Sequence, residues 1–240
     1  MASRPQPEQQ APPVQRLRIR YAKRGRARFT SHRDFSRAFE RALRRAGVPM
    51  AYSSGFSPHP RISYASASPT GAASEAEYLE IGLAQACDPD AVRLALDAAL
   101  PDGLDIMAVV PAPPGALADQ LTGSRWLVSL DPVTQAELPT AIEAFEAAET
   151  VVVQRMTKNG IRDFDTRSAV VLLQPADPGL VLTLRHQVPL VRPDDVLLAL
   201  AMVSPSFQPA GVPVLTRLTQ GRLAPDSADI TEPDGSPSPA

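Results

Sequence analysis

Guanidinium groups dominate the chemistry that this sequence can offer. Between Arg16 and Arg61 stand Arg16, Arg18, Arg20, Lys23, Arg24, Arg26, Arg28, Arg33, Arg37, Arg41, Arg44, Arg45 and Arg61, opposed only by Asp34 and Glu40. More than half of the chain's 24 lysines and arginines therefore lie in one stretch, although the formal net charge of the whole is −2. Charge segregated in this way points to a partner of opposite sign, and the competing reading is a solvated cationic face. Guanidinium forks match phosphate oxygens two at a time, and phosphate contacts supply most non-specific affinity for nucleic acid. Arg24, Arg26, Arg28, Arg33, Arg37, Arg41 and Arg61 are the expected ligand-binding set. Tyr21, Phe29, Phe56 and Tyr64 are candidates for stacking on unpaired bases, unless alternation on a strand makes them core.

Two histidines stand beside these arginines. His32 precedes a basic segment and His59 lies in Ser-Pro-His-Pro-Arg. Either can orient a phosphate or move a proton near neutral pH. The bland alternatives are a helix cap for His32 and a proline-fixed scaffold for His59. Glu75, Glu77 and Glu80 fall on a strand-like run whose alternation turns two of them to one face and one to the other, which favours charge neutralisation over acid-base work. Lys158, Arg162, Asp163, Asp165 and Arg167 follow or flank Asn159-Gly160, a dipeptide that favours a tight hairpin. Lys158 and Arg162 join the expected binding set as an extension of the same groove. No phosphate loop, dinucleotide fingerprint, nucleophile elbow or zinc spacing occurs, and neither a metal nor a cofactor is expected.

The elements that must hold these residues form an α+β pattern. Residues 16–30 alternate with period two, as one bent strand or a hairpin turning at Lys23 to Gly25. Ser31 or His32 can cap a helix over about 34–46, where Phe35, Ala38, Phe39, Ala42, Leu43 and Ala46 form the apolar face and arginines the other. Strands are expected at Ile62 to Ala65, Tyr78 to Leu83 and Leu104 to Val110, with a helix from Pro89 to Leu100. The order β-α-β-β-α-β is that of a split βαβ, or ferredoxin-like, module. After a break at 111–116, strand, helix, strand, hairpin, helix and strand follow at 126–130, 135–148, 151–156, 170–186, 193–203 and 212–218. Two tandem ferredoxin-like modules are thus expected, at 14–112 and 120–222. Residues 1–13 and 223–240, rich in Pro, Ser and acid, read as disordered tails.

The segments FTSHRD, GFSPHPRISYA and P-x-G-x-x-S-E-x-E-Y-L-E, with the later KNGIRDFDTR, resemble the radical SAM-linked protein family, a domain of unknown function numbered 2344. The resemblance spans about residues 14–222. It implies partnership with a radical SAM enzyme or with RNA-related neighbours. The radical chemistry itself needs three clustered cysteine thiolates, and this sequence holds Cys87 alone.

With 44% hydrophobic and 21% charged residues the composition is that of a globular chain. A lone cysteine, no membrane-length apolar run and no signal-peptide pattern make the cytoplasm the expected location. Three functions compete: a non-catalytic accessory protein binding RNA or another phosphorylated ligand, a metal-independent RNA-processing enzyme using His32 or His59, and an adaptor docking an acidic partner protein.

Overall fold

The computed structural model describes residues 9–158 and 160–235. The chain divides into two compact units, the first formed by Met1–Thr70 with Ala76–Ala118 and the second by Gly71–Glu75 with Asp119–Ala240. The α+β class is observed in both.

In the first unit β1 (Gln15–Lys23), α1 (His32–Arg45), β2 (Ile62–Ala65), β3 (Ala73–Leu83), α2 (Pro89–Ala99) and β4 (Leu104–Pro111) follow in sequence. β4 and β3 flank β1, and β2 pairs antiparallel with β3 from Ile62↔Ile81 to Ala65↔Tyr78. Period-two alternation sends Leu17 and Ile19 into a core with Phe35, Phe39 and Leu43 of α1, Leu79 and Ile81 of β3, and Leu96 of α2. The same alternation turns Arg16 and Arg18 to the opposite face of β1. α1 begins where the Ser31 hydroxyl accepts from the Asp34 amide at 3.2 Å, satisfying one of the orphan donors of its first turn.

Residues 24–30 depart from the expected strand or hairpin. They form a 3₁₀ turn at Gly25–Phe29. Gly25 takes a left-handed φ of +52°, and the Ala27 and Thr30 amides donate to Arg24 and Ala27 carbonyls, each at 2.9 Å. The apolar-polar alternation through Ala27 and Phe29 is real in the sequence, but a backbone that has left the extended region cannot continue a ladder.

The second unit contains β5 (Gly123–Ser129), α3 (Pro132–Ala147), β6 (Val152–Thr157), β7 (Gly160–Asp165), α4 (Thr166–Ala169), β8 (Val170–Ala176), β9 (Gly179–Arg185), α5 (Pro193–Val203), β10 (Val214–Leu223) and β11 (Ile230–Thr231). Its strands run β10-β5-β9-β8, and β11 pairs with β10. The start of β3 belongs to this unit, where Ala73 and Ser74 pair in parallel with Thr216 and Arg217. Trp126, Leu138, Phe145, Leu182, Leu200 and Phe207 lie in the core. The segment expected as one strand at 151–156 is half of a separate β6–β7 hairpin. β7 escaped the sequence reading because Phe164 is its one buried residue, so its alternation is weak. The expected Asn159-Gly160 turn falls at this hairpin's tip, where Asn159 lies outside the described residues and Gly160 pairs with Thr157.

Of the expected tails, 1–8 and 236–240 lie outside the described residues. Within 223–235, β11 is followed by Glu232, 2% exposed, whose carboxylate accepts from the Thr219 hydroxyl. No helix among the described residues is long and apolar enough to cross a membrane.

Candidate functional site

The cationic residues of the first unit sort into two populations. The first is held by ion pairs or hydrogen bonds. Arg18 is fully buried and its Nε and Nη2 donate to Glu80 Oε1 at 3.0 and 2.7 Å; Arg16 donates to the other oxygen of the same carboxylate. Arg24 pairs with Asp105 at 2.8 Å. Lys23, 5% exposed, is held 3.5 Å from the Ser68 and Pro69 carbonyls. Glu80 thus serves to neutralise arginines, and Glu77 is buried and accepts from the Ser68 amide at 3.1 Å.

The second population carries no ion pair among the described residues: Arg26, Arg28, Arg33, Arg37, Arg41, Arg44 and Arg61. Arg33, Arg37, Arg41 and Arg44 are exposed and spaced four, four and three along α1, so they form one outward row. Like charges at this spacing destabilise a helix by about 0.2–0.5 kcal/mol per pair. Arg44 lies in the last turn, where a cation complements the helix dipole, and Glu40 stands three and four residues from Arg37 and Arg44, which offsets part of this repulsion. Arg26 and Arg28 sit on the 3₁₀ turn that enters the helix, and the Arg28 guanidinium lies 4.7 Å over the Phe29 ring.

The four aromatic candidates separate just as clearly. Tyr21 stacks on Phe35 with ring centroids 4.3 Å apart and is core. Tyr64 is half-buried, and burial is the chief cause that pushes its hydroxyl above the ordinary phenol range. Phe29 and Phe56 are 59% and 71% exposed, Phe29 with one face under the Arg28 guanidinium. Sequence reasoning had grouped all four, because a strand-like pattern does not tell which aromatic lies at an element's end.

The two histidines occupy different surroundings. His32, in the first turn of α1, packs edge-on against Tyr64 at 4.9 Å between centroids, and Ser36 Oγ lies 3.4 Å from its Nδ1. This contact joins the FTSHRD and RISYA segments in space. His59 lies instead in the 51–61 loop, which is tied down by hydrogen bonds from the Ser53 amide to the His59 carbonyl and from the Arg61 amide to the Ala51 carbonyl, each at 2.8 Å. His59 and Arg61 line a cavity of about 500 Å³ with Arg16, Ser53, Ser63 and Glu80; His32 does not line it. Sequence reasoning missed Arg16, Ser53 and Ser63 as wall residues of this cavity.

In the second unit Lys158 and Arg162 are exposed on the β6–β7 hairpin. Asp163 accepts from Gln154 Nε2 at 3.0 Å. Arg155 pairs with the buried Asp195 and lies 4.0 Å over the Phe164 ring. No group of three or more potential metal ligands is assembled among the described residues.

The family model described as "Uncharacterized protein conserved in bacteria (DUF2344)" matches residues 16–193. No curated protein matches the chain.

Proposed function

From the premise that the chain belongs to the DUF2344 family of uncharacterized proteins conserved in bacteria, we propose that it is a non-catalytic, cytoplasmic accessory protein that holds single-stranded RNA for a separate radical SAM enzyme. The observation that carries the RNA half is the row Arg33, Arg37, Arg41 and Arg44, exposed on α1 and opposed by no ion pair among the described residues. The exposed rings of Phe29 and Phe56 supply stacking surfaces of the kind that unpaired bases use. The partner half rests on the motifs that resemble the radical SAM-linked family; the sequence holds one cysteine, fewer than the three thiolates such a cluster needs.

Each unit is read as ferredoxin-like. The first supports this with the order β-α-β-β-α-β and strands in the sequence β4-β1-β3-β2; the second supports it with β10-β5-β9-β8, once the β6–β7 hairpin and α4 are taken as an insertion.

Fluorescence anisotropy with a labelled single-stranded RNA across a salt series tests the proposal. Each phosphate contact adds about 0.7 to the logarithmic salt slope, so the joint replacement Arg33→Ala, Arg37→Ala, Arg41→Ala is expected to lower the slope by about two. Binding that ignores salt and survives this replacement eliminates the RNA role. Affinity capture from native cells after nuclease treatment tests the partner, and recovery without any radical SAM enzyme removes that half.

A further inference from the structure

We infer that the first unit carries a second, separate ligand site: the cavity beside β2, which takes a small phosphomonoester with its phosphate between Arg16 and Arg61. No residue of α1 lines this cavity, so the site stands independently of the arginine row. Its volume of about 500 Å³ falls in the range of small-molecule sites and far exceeds what an isolated oxyanion needs.

The charge balance favours an anion. Glu80 lines the cavity, but Arg16 and Arg18 both bind its carboxylate, and Arg61 adds a third guanidinium. Arg61 Nε donates to the Tyr52 carbonyl at 3.1 Å, which fixes the plane of its fork and leaves both terminal nitrogens for a ligand. Arg16 is half-exposed, with one terminal nitrogen on Glu80 and the remainder of the fork available. Ser53 Oγ accepts from the His59 amide at 3.0 Å, so its hydroxyl hydrogen can still be donated. Two forks with the Ser53 and Ser63 hydroxyls offer more donors than the two oxygens of a carboxylate can accept, and they suit the three oxygens of a phosphomonoester.

Pro13 and Pro60 are the apolar side chains of the wall, whereas Ile62 and Ile81 contribute backbone and turn their side chains to the core on the opposite face of the sheet. Gly82 has a part in this: a Cβ there would meet Pro13 Cγ at 2.8 Å and Arg61 Cβ at 3.3 Å. The absence of a side chain at this buried strand position lets Pro13 and Arg61 close over the strand.

Calorimetric titration of the intact chain with AMP, adenosine and inorganic phosphate tests the site. Saturable AMP binding is expected, with adenosine bound at least tenfold more weakly, at about the worth of one charge-assisted hydrogen bond. Arg61→Ala is expected to weaken AMP by about tenfold or more. Ser63→Phe, which fills the cavity from an exposed position, is expected to abolish binding with the circular dichroism unchanged. The Arg33→Ala, Arg37→Ala, Arg41→Ala variant is expected to bind AMP as the parent does, so loss of RNA binding and loss of AMP binding are read apart. Absence of saturable AMP binding, equal affinity for adenosine, indifference to both cavity variants, or loss of AMP binding in the α1 variant each overturns the inference.

Discussion

Arg18 bears a full charge with no exposed surface, and Glu80, at 3% exposure, is its answer. A buried pair of this kind adds little over well-packed apolar residues, but removing one member leaves an uncompensated charge in the interior. Glu80→Ala is therefore expected to cost about 3–5 kcal/mol of stability, while Arg18→Leu combined with Glu80→Leu recovers most of it; urea denaturation checks both, and a Glu80→Ala midpoint equal to the parent's contradicts the pairing. His186 shows the reverse logic in the second unit. Burial is the chief cause that holds its imidazole below the ordinary range, and the Arg217 charge acts in the same direction. Its Nδ1 lies 2.7 Å from the Leu121 carbonyl and its Nε2 2.9 Å from Ser124 Oγ, which assigns the proton to Nδ1. Because the folded state resists protonation more than the unfolded chain, this residue's contribution is complete above about pH 6.5 and is lost as pH falls below it. The urea midpoint is expected to drop between pH 7.5 and pH 5.5, and less so in His186→Gln; equal drops refute the assignment.

α1 is the element on which the functional reading turns, and its start depends on Ser31. The hydroxyl that accepts from the Asp34 amide also donates to the Asp34 carboxylate at 2.7 Å. Ser31→Ala is expected to cost about 1 kcal/mol by thermal or urea denaturation, and an unchanged midpoint shows that the cap contributes nothing. The helix was legible in the sequence because Phe35, Phe39, Ala42 and Leu43 recur at helical spacing and are buried as that spacing requires. The alternation in β1 was equally legible, and it placed Leu17 and Ile19 inside. What alternation cannot tell is whether the opposite face meets solvent: Arg18 looks in sequence like Arg33 and Arg37, yet a carboxylate 62 residues away removes it from the open cationic surface, while Arg16 stays half-exposed beside the same carboxylate. The cavity was half legible. His59 and Arg61 stand out in the loop motif, whereas Arg16, Ser53 and Ser63 reach its wall only through long-range pairing of β2 with β3.

The path of the chain through its two units sets a further expectation. Gly71–Glu75 leaves the middle of the first unit to serve the second, where Ser74 Oγ meets Arg217 Nε at 3.3 Å and Ala72 joins the core. A fragment of residues 119–235 lacks that strand, so β10 keeps an unpaired edge, the feature through which sheets aggregate. The fragment is expected to self-associate in light scattering and to denature at lower urea than the same fragment carrying residues 70–76 on a flexible linker; equal midpoints show that the borrowed strand contributes nothing. The arrangement also imposes a schedule on synthesis. Ala73 and Ser74 leave the ribosome long before their partners Thr216 and Arg217, and at ordinary translation speeds the wait is on the order of ten seconds. During that interval the nascent chain must carry an unmated strand end, where the charge of Glu75 beside it discourages pairing with a neighbouring polypeptide.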